Sequence, residues 1–323
     1  MTSGAAAPPV GGSGKPAPAL RTLLRGVVDY AGLFPPAAHD MATAVAEYAD
    51  YRNGPDAWAL GRFVLPAARL AEFHERSQAR LPREGARSWA LSALVAGSDI
   101  EEDLERIERF NASHSDAREG AVLVDTVELK THSVREIENA AERLDRRFDT
   151  FMEIPAAEDP VHLVDAISRT KAKAKIRTGG VTPDAFPSSA QIVRFIERCL
   201  DRNVAFKATA GLHHPWRAEH RLTYAADAPS GTMFGFLNML LCVAVLCARR
   251  GEAEAIALLE ERNPGAVRFD DQGSHWRPTV ARAATGDVNL PMTALELARE
   301  SMASFGSCSF SEPLADLRSI GLL

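Results

Sequence analysis

Eight short β-rich apolar runs, alternating with helix-patterned segments, constrain this chain more than any other feature. The runs occupy residues 25–29, 59–65, 89–95, 121–127, 150–154, 173–178, 204–208 and 266–270. Strands joined through crossover helices must lie parallel, because a tight turn can only return the chain antiparallel. Eight such units in 323 residues predict an α/β fold, a closed (β/α)8 TIM barrel. It is expected to form a single domain over residues 20–323, with a C-terminal extension. An open doubly wound sheet is the competing arrangement. No internal repeat is visible beyond the βα period itself.

The segments between the runs carry helix signals. Ser98 or Asp99 can cap a helix over 100–111, and Ser133 with Glu136 three residues on forms a capping box. Ser188 or Ser189 can cap a helix running to residue 202, and residues 291–303 read as a last helix. Residues 1–19 are rich in Ala, Pro, Gly and Ser and lack a continuous apolar stretch, so a disordered tail is expected. Residues 233–248 are strongly apolar but fall short of the ~20 needed to span a bilayer. They also contain Asn238, so a buried helix is expected and no membrane partner.

Composition excludes several functions. The net charge of −6 leaves no basic footprint for nucleic acid. The four cysteines, Cys199, Cys242, Cys247 and Cys308, include no CxxC pair. A disulfide framework or structural zinc site is therefore not expected, and a reducing cytoplasm is. The expected partner is a small-molecule substrate. The long loop over 211–231 could serve as a lid or as the contact of a homo-oligomer.

A barrel places its site at the carboxyl ends of its strands. The polar residues there are Asp29 and Tyr30, Arg62, Glu128 and Lys130, Glu153, Arg177 and Thr178, Lys207 and Thr209, His213 and His214, and Asp270 and Asp271. Period-two alternation puts Lys173, Lys175 and Arg177 on one face of strand six, and Lys207 and Thr209 on one face of strand seven. A lysine inside a strand is costly to bury unless paired or deprotonated, so Lys175 and Lys207 should point into the barrel mouth. Desolvation or a second cation nearby would depress an amine there, and a neutral amine is what a Schiff-base nucleophile requires. The alternative is that both lysines pair with Glu128 and Glu153 and support the barrel.

Two segments resemble those of a known family. Lys175-Ile-Arg-Thr178-Gly179 is similar to the K-x-x-T-G on strand six of deoxyribose-phosphate aldolases. Phe206-Lys207-Ala-Thr-Ala-Gly211 is similar to their strand-seven F-K-x-x-G-G. The resemblance is confined to these motifs. It implies Lys175 as the Schiff-base nucleophile, Lys207 as the cation tuning it, and no cofactor. The chain departs from the family at Arg177, where a small polar residue is usual, and at Ala210, where a glycine is. After residues 266–270 comes FDDQGSHW rather than a glycine-serine phosphate loop. The substrate then either lacks that phosphate or binds it at Gly179-Gly180.

The remaining candidates fill supporting roles. Glu153 or His213 could move protons. His214 could face the site in place of His213. Asp29 could hold a substrate hydroxyl or form an Asx-turn. Arg62 could hold an anionic substrate group, or pair Glu128 or Glu153. Cys308 reads as a small core residue. Three functions follow: a barrel lyase of the aldolase kind acting on a small carbonyl compound; a metal-dependent hydrolase or isomerase using His213 or His214, His275, Glu153 and Asp270; or a non-catalytic scaffold.

Overall fold

A computed structural model describes residues 15–83, 87–97, 100–115, 120–144, 147–279 and 286–323. Seven βα units follow in order. Helix α1 (Pro18–Leu24) precedes β1 (Val28–Tyr30), and α2 (Met41–Asn53) leads to β2 (Leu60–Pro66). Then come α3 (Leu70–Ser77), β3 (Trp89–Leu94), α4 (Ile100–Ser113), β4 (Val122–Lys130), α5 (Val134–Leu144) and β5 (Asp149–Glu153). The run continues through α6 (Val161–Ser168), β6 (Lys173–Arg177), α7 (Ser189–Asp201) and β7 (Phe206–Thr209).

The next crossover is far longer. It holds a hairpin of β8 (Ala218–Arg221) and β9 (Ser230–Met233), the helices α8 (Phe236–Cys247) and α9 (Glu252–Glu260), and a three-stranded antiparallel sheet. That sheet comprises β10 (Val267–Phe269), β11 (Gly273–Trp276) and β12 (Val288–Pro291). Helix α10 (Met292–Ser301), β13 (Met302–Ser307) and α11 (Ser311–Ser319) complete the chain. Strands β1 to β7 and β13 close a parallel barrel in the order β1-β13-β7-β6-β5-β4-β3-β2.

The barrel is therefore the expected one, but its eighth strand is not. The run at 266–270 forms β10, an edge of the side sheet. The true closing strand is β13, in register with β1 through Val28↔Phe305 and with β7 through Phe305↔Ala208. Asp270 and His275 leave the barrel mouth with the side sheet, where they pair with each other at 2.7 Å.

Helix starts follow their side chains. Ser188 and Gln191 form a reciprocal capping box at α7. The Ser133 hydroxyl accepts from the Glu136 N–H at 3.2 Å, and the Glu136 carboxylate accepts from the His132 N–H. Ser98 and Asp99 lie outside the described residues. Helix α1 starts at Pro18 and buries Ala19, so the last two residues of the span expected to be a tail are helical, while residues 1–14 lie outside the described residues. Most of α8 is buried, and Asn238 within it bonds to the Leu258 and Glu261 carbonyls. Among the described residues no helix is long and apolar enough to cross a membrane.

Candidate active site

Alternation builds the site. On β6, Ala174 and Ile176 are fully buried in the hydrophobic core, which leaves Lys173, Lys175 and Arg177 facing the barrel axis. On β7, Phe206 and Ala208 join the core and Lys207 points inward. Lys175 and Lys207 are direct register partners. Two ammonium groups at that spacing need carboxylates between them, and Glu128 supplies one. Its Oε2 lies 2.8 Å from Lys175 Nζ and its Oε1 2.7 Å from Lys207 Nζ.

The network extends on both sides. Lys175 Nζ also lies 2.9 Å from Glu153 Oε2, and Lys207 Nζ 2.6 Å from Asp29 Oδ2. The Ser92 hydroxyl donates to Glu128 Oε1 at 2.6 Å, and the Ser304 hydroxyl to Asp29 Oδ2 at 2.6 Å. Asp29 Oδ1 accepts the Arg62 N–H at 2.8 Å. Arg177 Nε stands 3.6 Å from Glu153 Oε1.

This pairing decides the protonation states. Burial alone would strip the proton from Lys207, but Asp29 and Glu128 outweigh it and raise its pKa. The expectation of a depressed amine is therefore not met at Lys207, whose two carboxylate partners favour the charged form. Burial works to raise Glu128, yet Lys175 and Lys207 hold its carboxyl far below the usual range. Glu153 is also lowered, burial being overcome by Lys175, then Arg177 and Lys130.

Above the network a cavity of about 400 Å³ opens at the carboxyl ends of the strands. Lys175, Glu153, Glu128, Lys130, Arg177, Lys207 and Thr209 line it, with Gly180, Gly211, Gly306, His213 and Cys308. One wall is Phe34-Pro35-Pro36 from the loop after β1. His213 Nδ1 is 3.7 Å from Cys308 Sγ and 4.0 Å from Glu312 Oε2. Burial, with His214 and His220 adding to it, pushes His213 down to about 4.

Other predicted residues lie elsewhere. Asp29 is buried beneath the cavity, outside its lining, and binds Lys207 and the Arg62 N–H rather than its own loop. Arg62 pairs with Asp125 at 2.6 Å and Asp149 at 3.8 Å, deeper in the barrel, where Asp149 opens β5. It is not part of the cavity wall. His214 turns to Asp316 at 2.6 Å and stacks on His220. The Thr178 hydroxyl donates to the Ala210 carbonyl at 2.6 Å. Gly179 is a packing glycine: a Cβ there would sit 3.0 Å from Gly211 Cα. The metal candidates are dispersed, and among the described residues no three His, Cys, Asp or Glu side chains converge to hold a metal.

Sequence reasoning missed Ser304 and Gly306, because β13 was not read as a strand. It undervalued Cys308, which lines the cavity, and the Phe34-Pro35-Pro36 wall. The eighth strand ends on Gly306-Ser307. Ala210 adopts φ 64°, the left-handed region that costs an L-residue about 1–2 kcal/mol, which is the physical reason for glycine at such a position.

No protein-family model matches the chain, and no curated protein matches it. Among solved structures it is similar to the crystal structure of the Bacillus cereus spore cortex-lytic enzyme SleL. Identity is 9% and the TM-score 0.39, over 92% of this chain and 74% of that one. A likeness of that size carries no argument about chemistry.

Proposed function

We propose that this barrel is a lyase of the aldolase kind, acting on a small carbonyl compound through an imine on Lys175. One observation carries the reading: Lys175 lines the cavity while Glu128 and Glu153 hold its Nζ at 2.8 and 2.9 Å. The similarity of the β6 and β7 motifs to those of deoxyribose-phosphate aldolases supports it.

The chemistry follows from the pairing. Glu153 takes a proton from Lys175, and the neutral amine adds to the carbonyl carbon. The carbinolamine hydroxyl leaves as water with the proton Glu153 holds. The iminium cation then stands where the ammonium stood, so the same carboxylates stabilise it. It accepts the electron pair of the neighbouring carbon–carbon bond as that bond breaks, giving an enamine and a second carbonyl compound. The hydroxyl proton released in that step goes to Glu153. Lys207 does not react. It keeps Glu128 ionised and in place.

Borohydride reduction in the presence of small aldehydes and ketones, followed by peptide mapping, tests this. A stable adduct on Lys175, absent from Lys175→Met, is expected. No adduct on Lys175 with any carbonyl probe refutes the reading. The saturation of Lys207 by two carboxylates favours a scaffold reading for that residue alone.

A further inference from the structure

The cavity carries more positive than negative charge. Its wall presents four cations, Lys130, Lys175, Arg177 and Lys207, against two carboxylates, Glu128 and Glu153. Asp29 beneath it neutralises one more. Four cations thus face three carboxylates in and beneath the wall, with Glu312 4.0 Å from His213 at its edge; His213, with its pKa near 4, adds no charge at neutral pH.

The excess is localised. Lys207 and Lys175 are each held by two carboxylates. Lys130, by contrast, makes no ion pair among the described residues. Arg177 meets Glu153 only through Nε at 3.6 Å and the Gly179 carbonyl through Nη1 at 3.4 Å, and its side chain is 50% exposed. Its Nη2 makes no hydrogen bond among the described residues, and the contacts of Nε and Nη1 are long. Lys130 is the register partner of Glu153, which in turn is the partner of Lys175. Lys130 and Arg177 thus flank the reactive amine on the β4 and β6 side of the mouth.

The opposite side repels an anion. Beside the end of β13, Glu312 lies 4.0 Å from His213 and accepts from the Tyr224 hydroxyl at 3.3 Å, next to Cys308. The Thr178 hydroxyl is already engaged.

We infer that the substrate is a monocarboxylate carbonyl compound of the 2-oxo acid type, its carboxylate held by the Arg177 fork with Lys130 beside it. A planar carboxylate matches a guanidinium fork bidentately. This inference rests on the imine reading for the fate of the carbonyl, but not for the recognition of the carboxylate.

The test uses the full chain. Borohydride labelling of Lys175 is titrated with pyruvate, with its neutral isostere pyruvamide, and with glycolaldehyde phosphate. Pyruvate should half-saturate labelling at a concentration roughly tenfold or more below pyruvamide. In Arg177→Gln the ratio should fall toward one, and Arg177→Lys should restore only part of it, since it keeps the charge and loses the fork. Equal labelling by pyruvate and pyruvamide, or tighter labelling by glycolaldehyde phosphate, overturns the inference. Calorimetric titration with lactate and lactamide, which have no ketone to form an imine, separates it from the parent reading. Lactate binding that needs Arg177, without any Lys175 adduct, sinks the imine and keeps the carboxylate site. Labelling without charge preference does the reverse.

Discussion

Replacing Lys207 by methionine tests whether the buried network supports the barrel as its geometry implies. Lys207 is 1% exposed, and its Nζ lies 2.6 Å from Asp29 and 2.7 Å from Glu128. Methionine fills nearly the same space beside Phe151, whose ring centroid lies 5.3 Å from that nitrogen. The substitution therefore leaves little cavity and isolates the electrostatic loss. Breaking a buried ion pair by deleting one partner costs about 3–5 kcal/mol. Here each carboxylate keeps other partners: Asp29 retains Ser304 and the Arg62 N–H, and Glu128 retains Lys175 and Ser92. The expected loss is accordingly at the lower end, about 3 kcal/mol at neutral pH.

The sign of the pH dependence is fixed by the two shifts. Glu128 is lowered from an ordinary 4.5, so its contribution is present above that value and lost as pH falls through its folded value. Lys207 is raised from 10.5, so its contribution is complete below that value and lost as pH climbs through its folded value. The gap between wild type and Lys207→Met should be full between these limits. It should narrow on strong acidification, as Glu128 gains its proton. Urea unfolding followed by tryptophan fluorescence at several pH values measures it. Adding Asp29→Asn to Lys207→Met should recover part of the loss. A cost below about 1 kcal/mol at neutral pH, against the range for a broken buried pair, would refute the reasoning.

Three further outcomes follow. Ser304→Ala removes the 2.6 Å bond to Asp29 from a site that excludes water, and should cost about 1–3 kcal/mol in the same unfolding assay. Gly306 lines the cavity, and a Cβ there would make ordinary contact with Thr209 Oγ1 at 3.5 Å. Gly306→Ala should label at Lys175 like the wild type, whereas Gly306→Phe should fill the cavity and block labelling without loss of fold by circular dichroism. His213 should titrate at about 4 when followed by NMR, staying neutral where an ordinary histidine gains its proton.

Period-two alternation made β6 and β7 legible, because outward Ala174, Ile176, Phe206 and Ala208 are apolar and the inward lysines are not. The eighth strand resisted for the same physical reason. Its inward residues, Ser304 and Gly306, are small and polar because they meet Asp29 and the cavity, so MASFGS reads as a loop. Meanwhile Val267 and Phe269 alternate with Arg268 on an edge of the side sheet and imitate a barrel strand. The hairpin of β8 and β9 was read as plain loop because its strands, AEHR and SGTM, carry almost no buried apolar side chains.

By itself the sequence determined the barrel and the inward set on β6 and β7, with Glu128 and Glu153 as one possible set of partners for the lysines. These follow from local rules: side-chain alternation, helix crossovers, and the cost of a lysine facing oil. Only the tertiary structure decided which partner each charge takes. Asp29 and Lys207 meet across 178 positions of chain, and that contact exists because β13 closes the barrel between β1 and β7. The same closure sets Lys207 between two carboxylates and leaves Lys175 at the cavity. Pairing at the axis depends on strand order and register, which no stretch of sequence carries alone.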